Sequence, residues 1–109
     1  MVIPSNAIIA VEKVRDYLLK PLVDGDKSGY LMLGGYNRSD FVRLANDLRE
    51  QLLPGEGIFQ ARTLYGDKFI LNGYLSGPNG RELAVKTVWE MNDFGEFRFV
   101  TLYPGKKRK

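Results

Sequence analysis

Between Tyr65 and Pro104 three turn signals cut the chain into four strand-like runs, and no other feature of the sequence narrows the fold so far. Gly66-Asp67 separates the first pair, Gly77-Pro78-Asn79-Gly80 the second, and Asn92-Asp93-Phe94-Gly95-Glu96 the third. Such short connections cannot carry a parallel crossover, so the runs should pair as an antiparallel meander. The expected strands cover residues 58–65, 68–76, 82–91 and 97–103.

Helical periodicity precedes them. Across residues 10–19, Val11, Val14 and Leu18 recur on one side and Glu12, Lys13, Arg15 and Asp16 on the other, with Pro21 as the stop. Residues 3–9 read as an extended lead-in that packs down, with Ser5 or Asn6 as cap. A short helical segment is expected over residues 27–33, halted by Gly34-Gly35. The second long helix starts at an Asn37 or Ser39 cap, aligns Phe41, Leu44, Ala45, Leu48 and Leu52, and ends at Pro54-Gly55. Helices first and strands second predict an α+β fold: two main helices and a short third on a four-stranded antiparallel sheet.

Register decides which side chains are wet, because a slip of one residue exchanges the faces of a strand. A two-residue Gly66-Asp67 loop sets Leu64 opposite Phe69 and Arg62 opposite Leu71. A three-residue Pro78-Asn79-Gly80 loop sets Leu75 opposite Leu83. One face then gathers Ile58, Leu64, Phe69, Leu71, Leu75, Leu83, Val85, Trp89 and Met91 under the helices. The other gathers Thr63, Tyr65, Lys68, Asn72, Tyr74, Glu82, Lys86 and Glu90. A five-residue third loop turns Phe97, Phe99, Thr101 and Tyr103 inward and Arg98 outward, and a four-residue loop reverses this. The five-residue loop is preferred because it buries three aromatic rings, with Thr87 and Thr101 then facing each other and Trp89 as core filling.

The 109 residues make one domain, expected over residues 1–104, followed by a basic, disordered tail over 105–109. The net charge of +3 belongs to that tail: without Lys106, Lys107, Arg108 and Lys109 the body carries 12 basic against 13 acidic residues. With no cysteine and no histidine, disulfides, thiolate nucleophiles, imidazole bases and the usual zinc ligands are out of reach. Carboxylates are scattered, so neither a metal site nor a cofactor is expected. Gly25-Asp26-Lys27-Ser28 carries the end of a phosphate-binding loop without its first glycine or its preceding strand. The opening Met1-Val2-Ile3-Pro4-Ser5-Asn6 lacks the pattern of a leader, and no apolar run reaches membrane-span length, so a cytoplasmic protein with no membrane partner is expected.

The outward sheet face holds the candidate chemistry. Lys68, Lys86 and Arg98 interleave with Tyr65 and Tyr74 beside Asn72, and cations among stacking rings suit single-stranded RNA. Ammonium and guanidinium groups can also stabilise a pentavalent phosphate transition state without histidine. Glu82 and Glu90 share the face, so cross-strand ion pairs are the competing structural explanation.

Tyr17-Leu18-Leu19, the Lys27 to Tyr36 segment, Gly77-Pro78-Asn79-Gly80-Arg81, Thr87-Val88-Trp89 and Arg98-Phe99-Val100-Thr101-Leu102-Tyr103-Pro104 together resemble a bacterial family of small domains of unknown function. Ser28-Gly29 stands where that family has Ala. The order of helices and meander is also similar to the barnase, EndoU, colicin and RelE-like ribonucleases, some of which cleave RNA with Lys and Arg. That likeness implies Lys27, Lys86 and Arg98 as phosphate-binding and charge-stabilising candidates, with Tyr74 stacking a base. Tyr65, Lys68 and Asn72 complete the nucleic-acid-binding candidates. The first expectation for function is a non-enzymatic domain acting by self-association or protein binding. The alternative is RNA binding or metal-independent RNA cleavage on the outward face.

Overall fold

A computed structural model describes residues 1–19 and 27–106. The elements in order are β1 (Val2–Ile3), α1 (Val11–Lys13) running into a π-helical turn (Val14–Leu18), α2 (Ser28–Met32), a 3-10 turn (Arg38–Asp40) and α3 (Phe41–Leu52). β2 (Gly55–Glu56), β3 (Ile58–Thr63), β4 (Gly66–Ser76), β5 (Glu82–Met91) and β6 (Phe97–Pro104) follow. The α+β class holds: β3-β4-β5-β6 form one antiparallel meander in sequence order, and β1 pairs with β2 in a two-stranded sheet that the sequence did not announce. Among the described residues no helix is long and apolar enough to cross a membrane.

α3 buries Leu44, Ala45, Leu48 and Leu52, the face its periodicity marks out. The Asp40 carboxylate accepts from the Asn37 backbone N–H at 2.7 Å, tying off the entry to the 3-10 turn that leads into it. At its far end Gln51 exchanges two hydrogen bonds with the Ser76 backbone, which pins the helix to the end of β4. The lead-in packs down as expected: Ile3, Ala7 and Ile9 are buried, and the Arg49 guanidinium donates to Ala7 O at 2.8 Å. Its expected Ser5 or Asn6 cap is replaced by Ala10, which caps with backbone alone. Pro21 lies outside the described residues.

The register of β4 and β5 is the one the turn demands, with Leu75 opposite Leu83 and Gly80 at φ 84°. The five-residue loop also stands, joining Met91 to its partner Phe97. The first hairpin does not follow expectation. Its loop is Leu64-Tyr65, and Arg62 pairs with Asp67 and Thr63 with Gly66. Two forces set this register. Thr63 Oγ1 accepts from the Tyr65 N–H at 3.1 Å and donates to Gly66 O at 3.0 Å, closing the turn two residues early. Gly66, at φ 141°, lies so close to Met91 that a Cβ would stand 2.1 Å from its carbonyl oxygen, so the glycine belongs to the ladder. Leu64 is consequently 99% exposed, and Ile58 joins the outer face.

Two bulges finish the assignment of faces. Gln60 is the extra residue between Phe59 and Ala61, and Val100 is the extra residue that shifts β6 against Val88 and Trp89. Phe97 and Phe99 therefore point inward, Leu102 takes the third inward position, and Thr101 and Tyr103 turn outward, opposite Val88 and Lys86. That corrects the expected facing of Thr87 and Thr101. Thr87 instead donates to Leu71 O at 2.7 Å and accepts from the fully buried Trp89 indole at 2.8 Å. Trp89 meets Phe99 edge to face at 5.3 Å, at the centre of a core shared by the inner sheet face and the helices.

Candidate functional site

The outer sheet face is concave where α1 and its π turn flank the β6 edge. Val14 and Leu18 point into the core, while Lys13 and Tyr17, four residues apart, look round the edge at the sheet. Opposite them stand Lys68 on β4, Lys86 on β5 and Tyr103 on β6, over an apolar floor of Ile70 and Val88. The concavity measures about 470 Å³. Among the described residues its lining holds three lysines and two tyrosines and no carboxylate.

Lys27, just ahead of α2, is buried against two of the lining residues, Tyr17 and Tyr103. Its ammonium lies 3.4 Å from the Tyr17 hydroxyl, 5.2 Å from the Tyr17 ring centre and 4.8 Å from that of Tyr103, and the residue is only 6% exposed. Two ring faces and a phenol oxygen replace the water that a buried ammonium would lose. α2 is fixed beside it by Tyr30, whose hydroxyl donates to Ala84 O at 2.6 Å.

Electrostatics reflect this crowding. Burial, and then the nearby Arg98 guanidinium, hold Lys13 below the ordinary lysine pKa. The Tyr17 phenol is held below its ordinary value by its contact with Thr101 and by the Lys27 ammonium, against an opposing effect of burial. The Thr101 contact is a loose one, since Thr101 Oγ1 is buried without a hydrogen bond of good geometry.

The residues singled out from sequence fall into three groups. Lys68 and Lys86 line the concavity, while Lys27 is not part of its lining and is buried against the Tyr17 and Tyr103 rings. Asn72 and Tyr74 line a neighbouring hollow of about 710 Å³, which shares Gln60, Ile70 and Lys86 with it. Arg98 and Tyr65 stand apart. The Arg98 Nε donates to Glu90 at 3.0 Å, and Glu90 is 4% exposed, so the guanidinium neutralises a buried carboxylate. Tyr65 is at the tip of the first hairpin, beside a smaller hollow on the other side of that ion pair. Lys13, Tyr17 and Tyr103 were missed: the first looked like solvated helix surface, and Tyr103 reaches the outer face only through the Val100 bulge. The spacing of Lys13 and Tyr17 was the one signal available.

Such a constellation can bind non-bridging phosphate oxygens with ammonium groups and stabilise the extra charge of a pentavalent intermediate. The Tyr17 phenol beside Lys27 can give or take a proton at the same spot. Among the described residues no group of three acidic, histidine or cysteine side chains could hold a metal ion.

Across residues 4–106 the sequence matches a domain of unknown function (DUF6883), and the chain belongs to that family. No curated protein matches it. Among solved structures it is similar to a chain of a contact-dependent growth inhibition toxin–immunity protein complex from Klebsiella pneumoniae 342. The identity is 20%, the TM-score 0.63, and the likeness covers 94% of this chain and 97% of that one. At that identity the likeness shows a shared fold.

Proposed function

We propose that this member of a family of unknown function binds the phosphodiester backbone of RNA in the lysine–tyrosine concavity and cleaves it without a metal ion. The observation that carries the reading is the convergence of Lys13, Lys68 and Lys86 on one hollow with no carboxylate among the described residues of its lining. Of the two acids on the outer face of β5, Glu90 is engaged by Arg98 and Glu82 does not line the hollow. In the reaction the Tyr17 phenolate takes the proton of a ribose 2′-hydroxyl, whose oxygen attacks the adjacent phosphorus. Lys68 and Lys86 stabilise the added charge, and a neighbouring ammonium returns a proton to the departing 5′-oxygen, leaving a 2′,3′-cyclic phosphate.

The test is incubation with tRNA and total RNA in EDTA at low salt, alongside the Lys86→Ala and Tyr17→Phe variants. Cyclic-phosphate ends that both variants fail to produce support the reading. Salt-dependent retention of RNA without cleavage reduces it to a binding domain, and neither retention nor cleavage removes it.

A second reading is association with a protein partner, or with a second copy of the chain. It is favoured by β3, an edge strand with Ile58 and Phe59 more than half exposed, and by a fold neighbour described as part of a two-protein complex. A monomer at all concentrations by light scattering, with nothing co-purifying, would leave it without support.

A further inference from the structure

Adjoining the lysine concavity, the larger hollow differs from it in character. Ile58, Ala84 and Pro104 give it apolar walls, Tyr74 lines one side, and Lys86 and Lys106 supply charge at its margins. At about 710 Å³ it falls in the size range of small-molecule sites. Ile58 is 61% exposed, an uncovered aliphatic side chain at the rim of this hollow. Gln60, the extra residue of the β3 bulge, sits where the two hollows meet, and bulges re-aim side chains in this way. Its amide can donate and accept at once.

An apolar recess next to ammonium groups, with an amide at the junction, complements a flat heterocycle carried on a phosphate chain. Resting on the RNA reading above, we infer that this hollow is a base subsite: it seats one unstacked nucleobase of single-stranded RNA whose phosphate lies against Lys68 and Lys86. The charge complementarity and the shared Lys86 argue for this occupant over an apolar peptide, which would leave Lys86 and Lys106 without counter-charge. The base enters over Ile58 and Ile70, and Gln60 meets its polar edge. Paired bases in a duplex are stacked away from any such recess, so the substrate class is single-stranded or locally melted RNA.

The experiment compares three fluorescent or competing probes on the full chain: a short oligouridylate, an abasic phosphodiester oligomer of equal length, and inorganic polyphosphate. The expected result is that oligouridylate binds at least about fivefold tighter than the abasic oligomer, a typical gain for one stacked base. Ile58→Asn, on an exposed position and checked for folding by circular dichroism, removes that advantage while leaving polyphosphate binding unchanged. Gln60→Ala supplies a second arm, flattening the preference among uridine, adenosine and cytidine oligomers. Equal binding of the abasic and uridine oligomers, or equal loss of all three probes in Ile58→Asn, overturns the base subsite alone. If polyphosphate and the abasic oligomer show no salt-dependent binding, the lysine concavity is not an anion site and the inference falls with it.

Discussion

Salt dependence gives the concavity a number. Each phosphate neutralised on a single strand contributes about −0.7 to the slope of log affinity against log salt. Among the described residues three lysines line the concavity, so the predicted slope is about −2. Between about 50 and 200 mM salt this amounts to a loss of affinity of roughly twentyfold. Lys86→Ala should reduce the slope to about −1.4 and the loss over the same range to roughly sevenfold. Arg98 contributes nothing in the wild-type chain because Glu90 neutralises it, yet Glu90→Gln frees the guanidinium and steepens the slope by up to about 0.7. The measurement is fluorescence anisotropy with oligouridylate on a chain ending at Lys106, so that residues 107–109 cannot supply the effect. A slope shallower than about −1 in that chain, or an unchanged slope in Lys86→Ala, would refute the reasoning.

Raising the pH should weaken RNA binding earlier than ordinary lysines predict. Lys13 is depressed by burial, so its cationic, anion-binding form is present below its lowered pKa and is lost as the pH rises through it. Tyr17, whose phenol is also depressed, adds opposing negative charge over the same rise, and Lys13→Arg should hold affinity to higher pH, over the range below the ordinary lysine pKa. In the core, Thr87→Val keeps the shape but strands the Trp89 N–H, at an expected cost of about 2 kcal/mol, or roughly 10 °C in Tm. An equal cost in a Trp89→Phe background, measured by urea unfolding followed by circular dichroism, would show that the hydroxyl does not serve the indole. Gly77→Ala would set a Cβ 1.9 Å from Gly34 O and push the second hairpin off the loop after α2. The expected loss is more than about 2 kcal/mol; a neutral Gly77→Ala on thermal melting would contradict that packing.

The α+β class, the meander, the face of α3, the second hairpin and the burial of Trp89 were all determined by the sequence alone. They rest on local rules: periodicity, turn chemistry and the small number of ways short loops can join strands. The same rules set Lys68, Lys86, Asn72 and Tyr74 on the wet side of the sheet, because β4 and β5 run in register without interruption. What they could not reveal are the two bulges and the early turn at Leu64-Tyr65, where competing local geometries differ by little and long-range packing chooses among them. Those choices turned Thr101 and Tyr103 outward and Leu64 into solvent. Only the tertiary structure decided that Lys13 and Tyr17, remote in sequence from the strands, meet the lysines of the sheet around one hollow, whereas the pairing of Arg98 with Glu90 was already legible as a cross-strand ion pair. The physical reason is that a site of this kind is a property of where helix and sheet surfaces converge, and neither surface carries a mark of the other in its own periodicity.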